Sequence, residues 1–397
     1  MSLPAHLYLH VPFCLRGCPY CDYAVSVDDP PSLEGWLSAV RGELDLRGGP
    51  ETLSNPLRTV HVGGGTPSTL GEALPLGILA LLGAKRLDGL DEWTIEANPE
   101  DLDAPLLARW KETGVTRVNV GLQSLHPAAL DFLGRGHEAG RGEVALQAIA
   151  KGGFRSWGVD LLYGLPPDVE RRPRVSLERV LRAAPPHVSL YELVAEAGTP
   201  LGRAVARGAV RLADDDLRAD QYLELGGLLE VEGYEAYEMT AFARPGHESR
   251  HGRAVLLGES FVGLGPSANS RIGGRVLQNA RNWQGYERSV ARGIGIGRAR
   301  GWDARAGVEI VAEGELTLVR LHDRLRLREG LPLEGLTAAG RELGRRWTAL
   351  GWAHPDPERL RLTPAGWLRL DSLAIELGRV ETEGAEKVLD RNGMEDG

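Results

Sequence analysis

Hydrophobic and polar positions follow two alternating rhythms over the first half of the chain. Short β-rich runs recur: "HLYLHV" (6–11), "RTVHV" (58–62), "WTIEA" (93–97), "TRVNVG" (116–121), "SWGVDLL" (156–162) and "HVSLYEL" (187–193). Between them lie longer amphipathic stretches with helical spacing, such as "SLEGWLSAVRGELDLR" and "APLLARWKETG". Six strands joined by helical crossovers predict a repeated βα unit and a parallel sheet. The fold class is therefore α/β, a partial TIM-type (βα)6 barrel over residues 1–235. The strand ends run into polar or glycine-rich segments, "GGGTPS", "NPED", "QSL" and "YGLPPD". Loops at the C-terminal ends of parallel strands are where βα barrels place their chemistry.

The rhythm changes after 235. Residues 236–290 are expected to form a connecting segment. Within it, "AFARPGHESRHGRAV" (241–255) is rich in Arg, His, Gly and Pro and reads as a loop, and "ESFVGLGPSANS" (259–270) reads as a short strand and turn. Later come helical "VEIVAEGELTLVRLHDRLRL", then "AAGRELGRRWTALG", then "RLRLTPAGWLRLDSLAIEL". Helix, helix, short strand pair and helix predict a small helical, winged-helix-like C-terminal domain over 291–378. The tail 379–397 is polar and expected to be disordered. The only internal repeat is the βα alternation.

Composition narrows the setting. Hydrophobic residues make up 42% and charged residues 25% of 397 residues, ordinary for a soluble globular chain. No apolar run approaches the roughly 18 residues that span a bilayer. "MSLPAHLYLH" lacks the basic and apolar blocks of a secretory signal, so a cytoplasmic setting with reduced thiols is expected. The net charge of −9 and pI near 5.7 argue against a nucleic-acid partner.

The chemistry concentrates in "HVPFCLRGCPYCDYAV" (10–25), which holds all three cysteines of the chain, Cys14, Cys18 and Cys21. Three chemistries use thiols at CxxxCxxC spacing. A structural zinc site needs four ligands, with His10 the available fourth. A redox pair would use Cys18 and Cys21 and leave Cys14 idle. An iron–sulfur cubane usually takes four thiolates, so three leave one iron open to chelate a substrate or cofactor.

With this loop placed after the first strand of a βα pattern, the sequence resembles the radical S-adenosylmethionine superfamily. The resemblance implies a 4Fe-4S cluster on Cys14, Cys18 and Cys21. It also implies that the open iron binds S-adenosylmethionine, which reduction cleaves to a 5′-deoxyadenosyl radical. Further segments fit in order: "GGGTPS", "EANP", "GLQS", "LGRGH", "DLLYGLP", "SLYEL", "GTPL" and "FARPGHESRH". Together they resemble the branch named for oxygen-independent coproporphyrinogen III oxidase, from about Tyr8 to about Leu377. Carried over by motif position, Tyr8, Tyr20, Gly64, Gly65, Thr66, Glu96, Gln123, Arg135, Asp160 and Val194 would line the S-adenosylmethionine site.

Two features separate the oxidase from its relatives. The oxidase pattern is CxxxCxxCxC, and here the fourth cysteine position holds Tyr23. The chain is also short before Tyr8. Both features are similar to the HemW-type heme chaperones, for which heme binding and transfer replace porphyrinogen decarboxylation. That resemblance implies heme or another tetrapyrrole as ligand, a heme-acceptor protein, and a reductant such as a flavodoxin. It also makes His251 the candidate heme contact, with His247 secondary. One departure stands against it: the HNxxYW motif of that group reads "HGRAVL" here, with Gly252, Val255 and Leu256 in place of Asn, Tyr and Trp. The alternative is an oxygen-independent coproporphyrinogen III oxidase or another radical enzyme acting on a tetrapyrrole.

Overall fold

A computed structural model describes residues 3–273, 275–293 and 313–392. Six parallel strands lie side by side in chain order: β1 (His6–Val11), β2 (Thr59–Gly64), β3 (Glu92–Ala97), β4 (Arg117–Gln123), β5 (Ser156–Tyr163) and β6 (His187–Glu192). Each falls within a residue or two of its expected run.

The two faces of these strands differ in kind. Leu7, Leu9, Val60, Val62, Ile95, Val118, Val120, Val159, Val188 and Leu190 are fully or almost fully buried. They pack in one core with helix residues such as Trp36, Ile78, Trp110, Ile149, Leu177 and Leu229. Each such side chain contributes roughly 1.5–3 kcal/mol by leaving water. The other face is polar and in register across the sheet: Tyr8, His61, Thr94 and Arg117 form one row. Glu96, Asn119 and Gly158 form a second row, and Gly121, Asp160 and Ser189 a third. A closed eight-stranded barrel fills its interior with branched apolar side chains. Here six strands leave the barrel open, and its inner face is lined for a polar ligand.

The sheet does not stop at six strands, which corrects the expected domain division. The segment 236–290 is built into the sheet rather than connecting two bodies. β7 (Glu235–Glu238) and β8 (Ala241–Ala243) extend one edge, β8 pairing antiparallel with β6. At the other edge β9 (Phe261–Leu264) pairs parallel with β1, and β10 (Asn269–Ile272) and β11 (Arg275–Gln278) follow antiparallel. The stretch 241–255 is likewise not all loop: it contributes β8 and the helix Arg250–Leu256. Ser249 caps that helix by accepting from the Gly252 N–H.

The C-terminal part holds the helices Glu313–Arg326, Ala338–Ala349, Pro364–Trp367 and Leu370–Asn392, with a strand pair β12 (Leu331–Pro332) and β13 (Arg359–Leu360). Residues 308–312 of the expected first helix lie outside the described residues. This part docks on the β7–β8 edge. The Met239 N–H donates to the Arg326 carbonyl, and the Arg328 N–H donates to the Tyr237 carbonyl, both at 3.0 Å. The Arg326 guanidinium meets the buried Glu238 carboxylate at 2.6 Å. The tail differs from expectation: residues 379–392 continue the last helix. Leu370, Leu373, Ala374 and Leu377 bury its apolar face, and Val380 packs against the same core. Glu381 accepts from the Thr337 hydroxyl at 2.9 Å and from its N–H at 3.1 Å. That anchor carries the helix past the last buried leucine. Residues 393–397 lie outside the described residues.

Candidate functional site: a cysteine loop over a polar cleft

The cysteine loop leaves β1 and returns on itself. Ser26 N–H donates to the Pro12 carbonyl at 2.7 Å, and Cys14 N–H donates to the Ser26 carbonyl at 3.0 Å. Phe13 is buried against Trp283, ring centroids 5.3 Å apart. The loop is thus pinned at its base while its thiols face the cleft. All three are free thiols. Burial pushes the Cys14 thiol up to about 11 and raises that of Cys21. These two thiols are therefore neutral near pH 7 unless a bound metal draws off their protons.

The glycine-rich loop after β2 docks directly on this loop. Gly65 N–H donates to the Val11 carbonyl at 2.7 Å, and Thr66 N–H donates to the Phe13 carbonyl at 2.8 Å. A Cβ on Gly65 would lie 2.7 Å from the Phe13 carbonyl oxygen, so only glycine permits the approach. Gly64 has φ of 112°, which also favours glycine. The Thr66 hydroxyl lies 3.3 Å from Cys14 Sγ.

The strand ends supply the remaining groups. Glu96 accepts from His61 Nε2 at 2.8 Å and faces the Gly64 N–H at 3.4 Å. Gln123 closes β4 at a bulge with φ of 69°, a left-handed conformation held by the flanking ladder. Burial pushes Asp160 up to about 6, against a hydrogen bond from Ser189. Arg135 donates from Nη2 to Asn98 Oδ1 at 2.6 Å and to the Gly121 carbonyl at 2.7 Å. Its Nη1 lies 3.7 Å from Cys18 Sγ.

The structure brings Cys14, Cys18 and Cys21 together with Tyr8, Tyr20, Gly64, Gly65, Thr66, Glu96, Gln123, Arg135, Asp160 and Val194 around one cleft of about 700 Å³. Val194 stands half-exposed at the rim. Tyr23, 71% exposed, lines the same cleft. Sequence reasoning left out Asn98, Glu100, Tyr191 and Glu192, which also line this cleft. Asn98 was within reach, since it sits in the quoted "EANP". Tyr191 and Glu192 end β6, the one strand end at which only Val194 had been singled out.

His10 does not join the cysteines. Its Nδ1 meets the Tyr8 hydroxyl and its Nε2 the Ala24 carbonyl, both at 3.1 Å. Among the described residues no three His, Cys, Asp or Glu side chains converge to chelate a single metal ion. A cubane asks for something different, because each thiolate ligates its own iron. Three thiols on a pinned loop, opening onto a polar cleft, fit that donor set.

His251 and His247 lie elsewhere. His251 is 6% exposed, and its Nδ1 meets Thr59 Oγ1 at 2.8 Å. Its ring stacks on His61 at 5.2 Å. Glu92 accepts the N–H groups of Arg250 and His251, each at 3.1 Å. His247 Nδ1 meets Ser156 Oγ at 3.2 Å. Thr59, Glu92 and Ser156 each begin a strand. Both histidines therefore sit at the floor of the barrel, opposite the cysteines. His251, placed by the sequence in a loop, is instead a buried helix residue, because the helix Arg250–Leu256 packs over that end.

The cleft and loop find their counterparts among known proteins. The profile of the Radical SAM superfamily matches residues 8–180, the span from Tyr8 to the helix after β5. Coproporphyrinogen III oxidase (HemN) from Escherichia coli, a radical SAM enzyme, superposes with a TM-score of 0.74 over 94% of this chain and 90% of that one. At 21% identity this likeness shows the fold. Fold and site define a radical SAM protein. The heme chaperone HemW of Mycobacterium tuberculosis (strain H37Rv) is 36% identical over 381 residues, 94% of this chain and 95% of that one. The heme chaperone HemW of Escherichia coli (strain K12) is 31% identical over 70% of this chain and 74% of its own. The chain belongs to the HemW family. No helix among the described residues is long and apolar enough to cross a membrane.

Proposed function

We propose that this protein is a heme chaperone of the HemW type, which takes up heme and passes it to an acceptor protein. The observation that carries the reading is similarity along nearly the whole chain to HemW proteins, not along the barrel alone. In this reading Cys14, Cys18 and Cys21 hold a 4Fe-4S cluster, and the cleft beneath them takes S-adenosylmethionine. A cubane with one iron free of thiolate supplies one-electron chemistry on a chelated sulfonium. The chain's own groups do the rest. Gly64 and Gly65 let backbone approach the ligand, Glu96 offers a carboxylate to an ammonium, and Gln123 suits sugar hydroxyls. Asp160, raised to about 6 by burial and already accepting from Ser189, offers its carboxyl to a donor on the ligand. A one-electron donor such as a flavodoxin would serve the cluster.

Tyr23 at the fourth cysteine position supports chaperone over oxidase. The second reading, a radical enzyme acting on a tetrapyrrole such as coproporphyrinogen, draws support from "HGRAVL" and from the burial of His251 at the barrel floor. Three measurements decide. Anaerobically purified protein should hold about four irons with matching sulfide, and Cys18→Ala should lose them. Hemin titration should give a saturable spectral shift. Incubation with coproporphyrinogen III, S-adenosylmethionine and reductant should give no protoporphyrinogen; turnover there would establish the second reading. One zinc and no sulfide would end both.

A further inference from the structure

Arg135 is expected, by resemblance, to line the S-adenosylmethionine site, and its planar fork suits a carboxylate. Its geometry shows an earlier commitment. Both terminal nitrogens are engaged without any ligand: Nη2 with Asn98 Oδ1 and the Gly121 carbonyl, Nη1 with Cys18 Sγ at 3.7 Å. The two oxygen partners are neutral and position the guanidinium; the carboxylate that acts on it is Glu100, which offsets part of its charge without a direct ion pair. The sulfur it meets is that of the middle cysteine of the cluster motif. Arg135 itself is half-buried and lies in the wall of the cleft, where a charge is screened less than at the surface.

We propose that Arg135 is the counter-charge of the cluster: its guanidinium, aimed at Cys18 Sγ, raises the reduction potential of a cluster held by Cys14, Cys18 and Cys21. This rests on the reading that those cysteines hold a cluster. Reduction adds one electron from a one-electron donor and makes or breaks no bond to Arg135. The added negative charge is stabilised by a fixed cation and by an N–H directed at a ligating sulfur, two of the influences that set cluster potentials. Arg135 is thus a positioning and tuning residue, with Asn98 holding it in place.

The test uses full-length protein, reconstituted anaerobically and titrated electrochemically with detection by electron paramagnetic resonance, without S-adenosylmethionine. Arg135→Gln removes charge and directed donor; its midpoint should fall below that of the wild type. Arg135→Lys keeps the charge and gives up the planar fork; its midpoint should fall by a smaller step. If the Gln variant loses its iron, the Lys variant decides. A cluster-bearing variant of either kind whose midpoint equals the wild-type value overturns the proposal. A carboxylate clamp alone would weaken S-adenosylmethionine binding and leave this midpoint unmoved, and a purely structural residue would lower only the melting temperature. Wild-type protein that forms no cluster would instead refute the proposed function.

Discussion

Gly65→Ala tests whether the glycine-rich loop works by letting backbone meet backbone. The added Cβ would lie 2.7 Å from the Phe13 carbonyl oxygen and 2.8 Å from that of Pro12. Both are main-chain atoms, so neither can rotate aside. Ordinary contact requires the two loops to separate by several tenths of an ångström. The hydrogen bonds from Gly65 N–H to Val11 and from Thr66 N–H to Phe13 span that contact and must stretch. Overpacking costs roughly 1–3 kcal/mol, and each of the two weakened hydrogen bonds about 0.5–1 kcal/mol, for a total of roughly 2–5 kcal/mol. If the loops part instead of the protein unfolding, the cost appears in the site, since Thr66 faces Cys14. The low end of the range corresponds to about 30-fold weaker ligand binding. Isothermal titration with S-adenosylmethionine on reconstituted protein, paired with a urea melt, reads both routes. Gly71→Ala is the control: its φ is also positive, but its Cβ meets nothing within 4 Å. Backbone strain of roughly 1–3 kcal/mol is expected there, with binding unchanged. Wild-type affinity and wild-type melting in Gly65→Ala would refute the reasoning.

Three further outcomes follow from buried or paired groups. His251→Ala should lower stability by roughly 2–4 kcal/mol, through the emptied ring site and the lost Thr59 contact, while S-adenosylmethionine affinity stays at the wild-type value; a change in affinity without a change in melting would show that the floor residue reaches the cleft. Asp160 is raised to about 6 by burial, above the roughly 3.9 of an unfolded aspartate. Between about pH 4 and 6 the folded protein keeps a proton that the unfolded chain releases, so this group's contribution falls as pH rises. Asp160→Asn should therefore melt higher than the wild type above pH 6 in ligand-free protein, the gap closing towards pH 4. His322 is raised by the carboxylates of Asp323 and Asp371, the latter 3.1 Å from Nε2. Its contribution is complete below about pH 6.5 and lost as pH climbs through the raised value. Differential scanning calorimetry from pH 6 to 8.5 should show that loss in the wild type and not in His322→Gln.

The six strands, the cysteine loop and most of the cleft could be read from the sequence, because each depends on local pattern. Alternation within "HLYLHV" or "RVNVGL" places polar side chains on one face of a strand whatever surrounds it, and three thiols within an eight-residue stretch must share a loop. Strand ends in a repeated βα unit share one rim, so Glu96, Gln123 and Asp160 could be assigned to one site before any coordinates. Asn98 and Tyr191 escaped only because neither residue type announces its task.

Tertiary structure decided what depends on distant partners. β7 to β11 are short, and nothing within them says that they will extend a sheet whose edges, β6 and β1, lie far away along the chain. Residues 379–392 look polar enough to be disordered, yet the helix entering them is held by leucines and by Glu381 against Thr337. His251 looks like a surface residue in "ESRHGRAV" and becomes buried because Glu92, Thr59 and His61 arrive from β2 and β3. Arg135 is the sharpest case. Its type and position mark it for an anion, but only folding shows that Asn98 and the Gly121 carbonyl aim it at Cys18. Local pattern thus determined which groups face the cleft. Long-range contact decided where those groups point and which of them were already engaged, since burial and hydrogen bonding are properties of neighbours that the chain brings together only on folding.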